Sequence, residues 1–78
     1  MPRMDLLTFI GDTDRKAALA LATGTSPAYL WQLATGWKDR KPSPALALAI
    51  ERETALIDAE CVVTKEELRP DVWSSAAA

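Results

Sequence analysis

The side chains best suited to chemistry in this sequence lie close together, in the middle of the chain. The amide of Gln32 could pair bidentately with N6 and N7 of adenine, and the hydroxyl of Ser26 could hold a phosphate oxygen. Three cations, Lys38, Arg40 and Lys41, follow within four positions and could neutralise phosphate charge. Together these groups predict contacts with double-stranded DNA. The alternative interpretation of the cations is a loop that only keeps the protein soluble.

Enzymatic and metal chemistry have little support in the sequence. The 78 residues contain no histidine and one cysteine, Cys61, which excludes the usual metal clusters, an intramolecular disulfide and Cys/His or Ser/His catalysis. The carboxylates of Glu51 and Glu53, like those of Glu66 and Glu67, have spacings typical of solvated helix faces. Cys61 is predicted to be a small buried hydrophobe. We therefore expect no catalytic residue, no metal, no cofactor and no enzymatic activity.

The elements that must position the polar groups are two short helices joined by a tight turn. The first is predicted from about Asp14 to Ala22 and the second from about Pro27 to Thr35. Gly24 can adopt the positive φ that a turn after a helix requires, and Ser26 is a favourable N-cap. This arrangement is typical of a DNA-binding helix-turn-helix, and equally of a helical hairpin in any small bundle.

The second helix is predicted to turn one apolar face inward. Leu30, Leu33 and Ala34 recur at helical spacing and would face the core. The residues left on or beside the outer face are Ala28, Tyr29, Trp31, Gln32 and Thr35. If the motif binds DNA, this face enters the major groove, with Gln32 as the best candidate for base readout. Tyr29 would donate to a phosphate or contact a thymine methyl group.

The charges are distributed unevenly along the chain. The net charge is −2, which alone argues against a nucleic-acid partner. Residues 1–41, however, carry six basic and four acidic side chains, whereas residues 42–78 carry three basic and seven acidic ones. The basic part could contact DNA if the acidic part faces away from it. Arg15 and Lys16, at the start of the first of the two helices, suit a phosphate contact or are simply solvated.

Three further helices complete the predicted domain. An amphipathic helix is expected from about Asp5 to Ile10, and a helix capped by Ser43 from Ala45 to about Leu56. The latter is apolar nearly all round at its start, so we expect it at the centre of the core. Thr64 begins one short final turn. The abundance of Ala and Leu and the scarcity of glycine favour an all-α fold.

The chain is predicted to form a single domain. We place this domain at residues 1–73, followed by a disordered tail at 74–78. The sequence has no apolar run of the roughly eighteen residues that a membrane span needs, and its N-terminus lacks the pattern of a signal peptide. We therefore expect a cytoplasmic protein with no membrane partner.

Three stretches of the chain carry a family resemblance. They are, in order, ALATGTSPAYLWQLATG, KPSPALALAIERET and VTKEELRPDVW. With them the chain resembles the Cro/YdaS-like helix-turn-helix proteins of bacteria, phages and mobile elements, over roughly Asp14 to Trp73. The resemblance implies a five-helix, lambda-repressor-like domain of Cro type. It also implies a sequence-specific transcriptional regulator, commonly a repressor that binds a pseudo-palindromic operator as a homodimer, although some members are described as antitoxins.

The resemblance also assigns positions to the DNA-contacting face. The matching residues are Ser26, Ala28, Tyr29 and Gln32, with Lys16 in the preceding helix. Two positions depart from the pattern, because Thr23 stands where many such motifs carry Leu and Thr25 stands where Val is usual. Tyr29 and Trp31 are also bulkier than a typical recognition surface.

The outer face of the second helix and the loop after it have one set of predicted DNA contacts and one rival interpretation. Base readout is assigned to Ala28, Tyr29 and Gln32. DNA-backbone contacts are assigned to Lys16, Thr25, Ser26, Thr35, Lys38, Arg40 and Lys41. The rival is an antitoxin or adaptor with the same fold, in which Tyr29, Trp31 and Trp37 fill a pocket of a co-encoded protein partner.

Overall fold

The described part of the chain is a bundle of five short helices. The computed structural model describes residues 4–73. The helices are α1 (Leu6–Phe9), α2 (Thr13–Thr23), α3 (Pro27–Thr35), α4 (Pro44–Ile57) and α5 (Lys65–Leu68), and a 3-10 turn, Trp37–Asp39, follows α3. Residues 4–73 contain no β-strand, so the prediction of an all-α fold is confirmed. The tail predicted at 74–78 lies outside the described residues. None of the described helices combines the length and the apolar character of a membrane span.

Each α-helix begins at a side chain that caps its first turn. The capping oxygens accept the amide hydrogen three residues further on, and they belong to Asp5, Asp12, Ser26, Ser43 and Thr64. Pro27 and Pro44 occupy the first helical position, where a missing N–H costs nothing. One such cap contributes about 1 kcal/mol to stability. The residue at which each helix begins is therefore determined by its immediate neighbours in the sequence.

The core lies where α1, α2, α3 and α4 meet. Phe9, Leu19, Leu30, Ile50 and Val63 are fully buried there. α2 packs against α4, while α3 packs against both α1 and α2. α5 lies against α4. The short helix α1 and the segment after α4 thus close the two sides of the bundle.

α4 contributes one face to the core rather than its whole circumference. Ala47, Ile50 and Thr54 are buried, but Leu48 is 48% exposed and Leu56 is 75% exposed. The expectation that this helix is the centre of the core therefore holds for one side only. The opposite side of α4 has no neighbouring helix in the described residues, since α2 and α5 are the helices that pack against it.

Thr54 is the one fully buried polar side chain in the described residues. Its hydroxyl donates to the carbonyl of Glu51 at 3.0 Å and accepts the amide hydrogen of Val63 at 3.1 Å. The Glu51 carboxylate in turn accepts the Lys65 amide hydrogen at 2.9 Å, and the Lys65 ammonium lies 3.7 Å from it. These bonds fasten the irregular segment after α4 back onto that helix.

Replacement of Thr54 by Val tests this attachment. We expect the free energy of unfolding to fall by about 1–3 kcal/mol, because the buried amide of Val63 loses its acceptor. Thr13 is exposed at the start of α2, so Thr13→Val is a matched control with an expected change within about 0.5 kcal/mol. Urea denaturation of both variants measures the difference. Equal stability of the two variants would contradict the structural role of the Thr54 hydroxyl.

Candidate nucleic-acid interface

The turn between α2 and α3 is only three residues long. Gly24 adopts the left-handed conformation, with φ 69° and ψ 27°, as predicted. The next amide, of Thr25, donates to the carbonyl of Ala20 at 2.9 Å, which closes the end of α2. A Cβ atom at Gly24 would meet no heavy atom within 4 Å, so glycine is favoured here by its conformation and not by lack of space.

Two threonines of this turn are joined by a chain of hydrogen bonds. The hydroxyl oxygens of Thr23 and Thr25 lie 2.9 Å apart, and the Thr23 hydroxyl donates to the Leu19 carbonyl at 2.8 Å. Since each hydroxyl has one hydrogen, Thr25 must be the donor to Thr23. The hydrogen that the predicted phosphate contact of Thr25 would need is therefore already engaged.

Ser26 differs from Thr25 because its hydroxyl hydrogen is free. The oxygen accepts the amide hydrogen of Tyr29 at 3.1 Å, and the hydrogen has no partner among the described residues. The amide of Ala28 is also without a partner in that part of the chain, and both residues are exposed. Pro27 has no amide hydrogen. The start of α3 thus offers two donors, on Ser26 and Ala28, to an anion.

α3 presents a narrower outer face than its sequence predicts. Leu30 and Leu33 are buried, as expected, and Ala28, Thr35 and Trp31 are exposed. Gln32 is partly buried at one edge, and its side-chain amide makes no hydrogen bond to a described residue. Tyr29 is also partly buried and packs against the core. Of the residues assigned to base readout, Ala28 and Gln32 keep accessible groups on this face, while Tyr29 stands at its margin.

The Thr35 hydroxyl is less available for a phosphate than its exposure indicates. It donates to the carbonyl of Trp31, one turn earlier in α3, at 2.9 Å. Ser, Thr and similar residues often make this bond inside helices, and it uses the hydroxyl hydrogen. Of the three hydroxyls assigned to the DNA backbone, on Thr25, Ser26 and Thr35, only that of Ser26 can donate without first breaking a bond within the protein.

The loop after α3 exposes all three of its cations. Gly36 ends α3 in the left-handed conformation, and Trp37 begins a turn in which both Lys38 (φ 52°) and Asp39 (φ 59°) have positive φ. Non-glycine residues in this region cost roughly 1–2 kcal/mol each. The Lys38 ammonium lies 4.5 Å from the centre of the Trp37 ring, and the Arg40 guanidinium lies 6.0 Å from it. Two of the three cations of the loop, those of Lys38 and Arg40, therefore lie beside the indole of Trp37.

The ion pairs of the described residues divide the cations into two sets. Those with a carboxylate within 4 Å are Arg15, Arg52, Lys65 and Arg69. The described cations outside these pairs are Lys16, Lys38, Arg40 and Lys41, which are the four cations assigned above to the DNA backbone. Unpaired cations attract phosphate without first giving up a carboxylate partner. Within residues 4–73, the cations outside ion pairs therefore lie on α2 and on the loop after α3.

Arg15 is partly buried and already has partners within the protein, with which the phosphate contact considered for it would compete. Its Nε donates to the Phe9 carbonyl at 3.1 Å, and its guanidinium lies 5.0 Å from the centre of the Phe9 ring. Its Nη1 lies 3.7 Å from the Asp58 carboxylate. Arg15 thus joins α1 to the start of α2 and to the segment after α4. Its neighbour Lys16 makes no such contact within the described residues.

Cys61 is half-buried rather than buried, and packs against the core. A hydrogen bond with Asp58 is the main cause that raises the pKa of its thiol. Such a thiol stays protonated at neutral pH and is a weak nucleophile.

The pKa of Asp71, near the end of the described chain, is shifted in the opposite direction. Its hydrogen bonds with Arg69 lower its pKa to about 2, and the charge of Lys41 adds to this effect.

Comparisons with known proteins add nothing to the description of this candidate interface. A scan against models of protein families, a search of curated proteins and a search of solved structures each found no match. The resemblance to the Cro/YdaS-like proteins is therefore carried only by the three stretches quoted above. What the site can do follows from its own groups, which are two donors at the start of α3, an amide on its outer face and unpaired cations beyond its end.

Proposed function

We propose that this protein is a sequence-specific transcriptional regulator that binds double-stranded DNA through a helix-turn-helix of lambda-repressor-like, Cro type. In this proposal α2 and α3 form the motif, and α3 lies in the major groove. The protein acts as a repressor, and two copies bind a pseudo-palindromic operator. The observation that carries the proposal is the position of the cations without ion-pair partners, on α2 and directly after α3.

α3 has groups that suit phosphate contacts at both of its ends. Its nine residues make a helix of about 13 Å. The free donors of Ser26 and Ala28 lie at one end of α3, and the loop with Lys38, Arg40 and Lys41 lies at the other. Phosphate contacts at both ends would fix the register in which Gln32 meets a base edge.

The exposed indoles support a second candidate function. Trp31 is 47% exposed and Trp37 is 39% exposed. Tryptophan is enriched at the centres of protein interfaces, where it fills pockets on the partner. An antitoxin or adaptor with the same fold would use these rings to bind a co-encoded protein. The unpaired cations favour DNA over this alternative, because an indole pocket does not require them.

Selection of bound duplexes from a random-sequence pool at moderate salt tests the proposed function. Sequencing the survivors should give an inverted repeat whose half-sites are about one helical turn apart, as expected for a two-fold dimer. The absence of any enriched motif, with weak binding that disappears as salt rises, would reject the regulator and favour the protein-interaction module.

Replacement of Gln32 by Ala tests base readout on the selected site. Loss of one bidentate contact should cost about 1–3 kcal/mol on that site and little on random DNA. Lys41→Ala is the control, since loss of a phosphate contact should weaken binding to both duplexes alike and flatten the salt dependence. Fluorescence anisotropy titrations at several salt concentrations give both quantities. Equal losses on both duplexes for Gln32→Ala would refute its readout role.

Replacement of Ser26 by Asp separates phosphate binding from helix capping. Asp caps a helix as well as Ser does, so the melting temperature should change little. Its carboxylate repels a phosphate where the Ser26 hydroxyl would donate, and affinity for every duplex should fall at least about tenfold. Thr64→Asp places the same charge at the N-cap of α5 and serves as the control. If both variants bind DNA equally well, Ser26 does not contact a phosphate.

A further inference from the structure

Trp31 is the large side chain of α3 that is neither part of the core nor among the predicted DNA contacts. It is 47% exposed. Ala28 and Thr35 lie three residues before it and four residues after it, so the three side chains are neighbours on one face of the helix. Ala28 and Thr35 are exposed as well. Trp31 therefore contributes the largest apolar surface to the part of α3 that faces away from the bundle.

The other side chains on this face of α3 expose little apolar surface. Tyr29, the other aromatic residue of α3, packs against the core and stands at the margin of the face. Ala28 carries a single methyl group, and the Thr35 hydroxyl is bonded to the Trp31 carbonyl at 2.9 Å. Beside the polar amide of Gln32, the exposed indole of Trp31 is thus the main apolar group that α3 can present to a partner.

We propose that Trp31 is a specificity-determining residue that recognises thymine through its 5-methyl group. This inference rests on the proposed function, in which α3 lies in the major groove. The thymine methyl group is an apolar feature of that groove and is contacted by apolar side chains. At 100° per residue, Ala28 and Thr35 lie nearly on one line along the helix surface. Trp31 lies on one side of this line and Gln32 on the other. They would therefore read neighbouring base pairs, Gln32 an adenine and Trp31 a thymine.

Replacing thymine by deoxyuridine tests the proposal, because this exchange removes only the methyl group. Each thymine of the selected site is replaced in turn, and affinity is measured for the wild-type protein and for Trp31→Ala. The wild type should lose about three- to fivefold at one thymine of each half-site, as expected for one buried methyl group. Trp31→Ala should bind the two duplexes equally. Trp37→Ala, which removes an exposed indole outside α3, should keep the wild-type difference.

The possible results separate this inference from the proposed function. Failure of the selection to give any motif rejects the regulator, and the role of Trp31 with it. A specific site whose thymine preference persists in Trp31→Ala leaves the regulator intact and overturns the inference, as does loss of that preference in Ala28→Gly but not in Trp31→Ala. Circular dichroism checks folding, and Trp31→Gln, which also removes the indole but keeps a longer side chain, replaces Trp31→Ala if the latter unfolds.

Discussion

The left-handed conformation of Gly24 is the constraint on which the arrangement of the helices depends. It lets the Thr25 amide bond back to Ala20, so the chain reverses within three residues and α3 starts against α2. Leu19 and Leu30 are thereby buried in one core. α4 packs on α2 and α1 packs on α3, so these two helices take their places relative to the first pair. The outer face of α3 is what remains after those contacts are made.

Hydrogen bonds between α4 and the segment that follows it are a second constraint, on the other side of the bundle. The segment after α4 is irregular, and two of its backbone amides are satisfied by side chains of α4. Thr54 satisfies the Val63 amide, and Glu51 satisfies the Lys65 amide. A folded domain is stable by only about 5–15 kcal/mol, so each such bond is a sizeable share of the total. These polar contacts help to position α5, together with the packing of Leu68 against the core.

Local signals predict much of this fold, and tertiary contacts account for what they miss. The Ser26-Pro27 cap and the glycine at Gly36 place α3 at Pro27–Thr35, as expected from the sequence. Helical periodicity identifies an outer face, but it cannot show that Tyr29 packs partly buried against the core while Trp31 stays exposed. The position of Arg15 next to Phe9 and Asp58 likewise needs the folded chain. The base and phosphate contacts themselves are not tested by the fold and stay predictions.

Net charge is a poor guide to the partner of a domain this small. The chain carries a net charge of −2. Only some of its described cations, however, are paired with a carboxylate. Carboxylates hold Arg15, Arg52, Lys65 and Arg69 in the described residues, and these pairs consume both acidic and basic charge within the protein. The loop after α3 carries three cations and the carboxylate of Asp39, and the carboxylate of Asp71, which is itself bonded to Arg69, lies near Lys41. Since exposed charges more than about 8–10 Å apart are screened at physiological salt, a phosphate at this loop responds mainly to these local charges and not to the net charge of the chain.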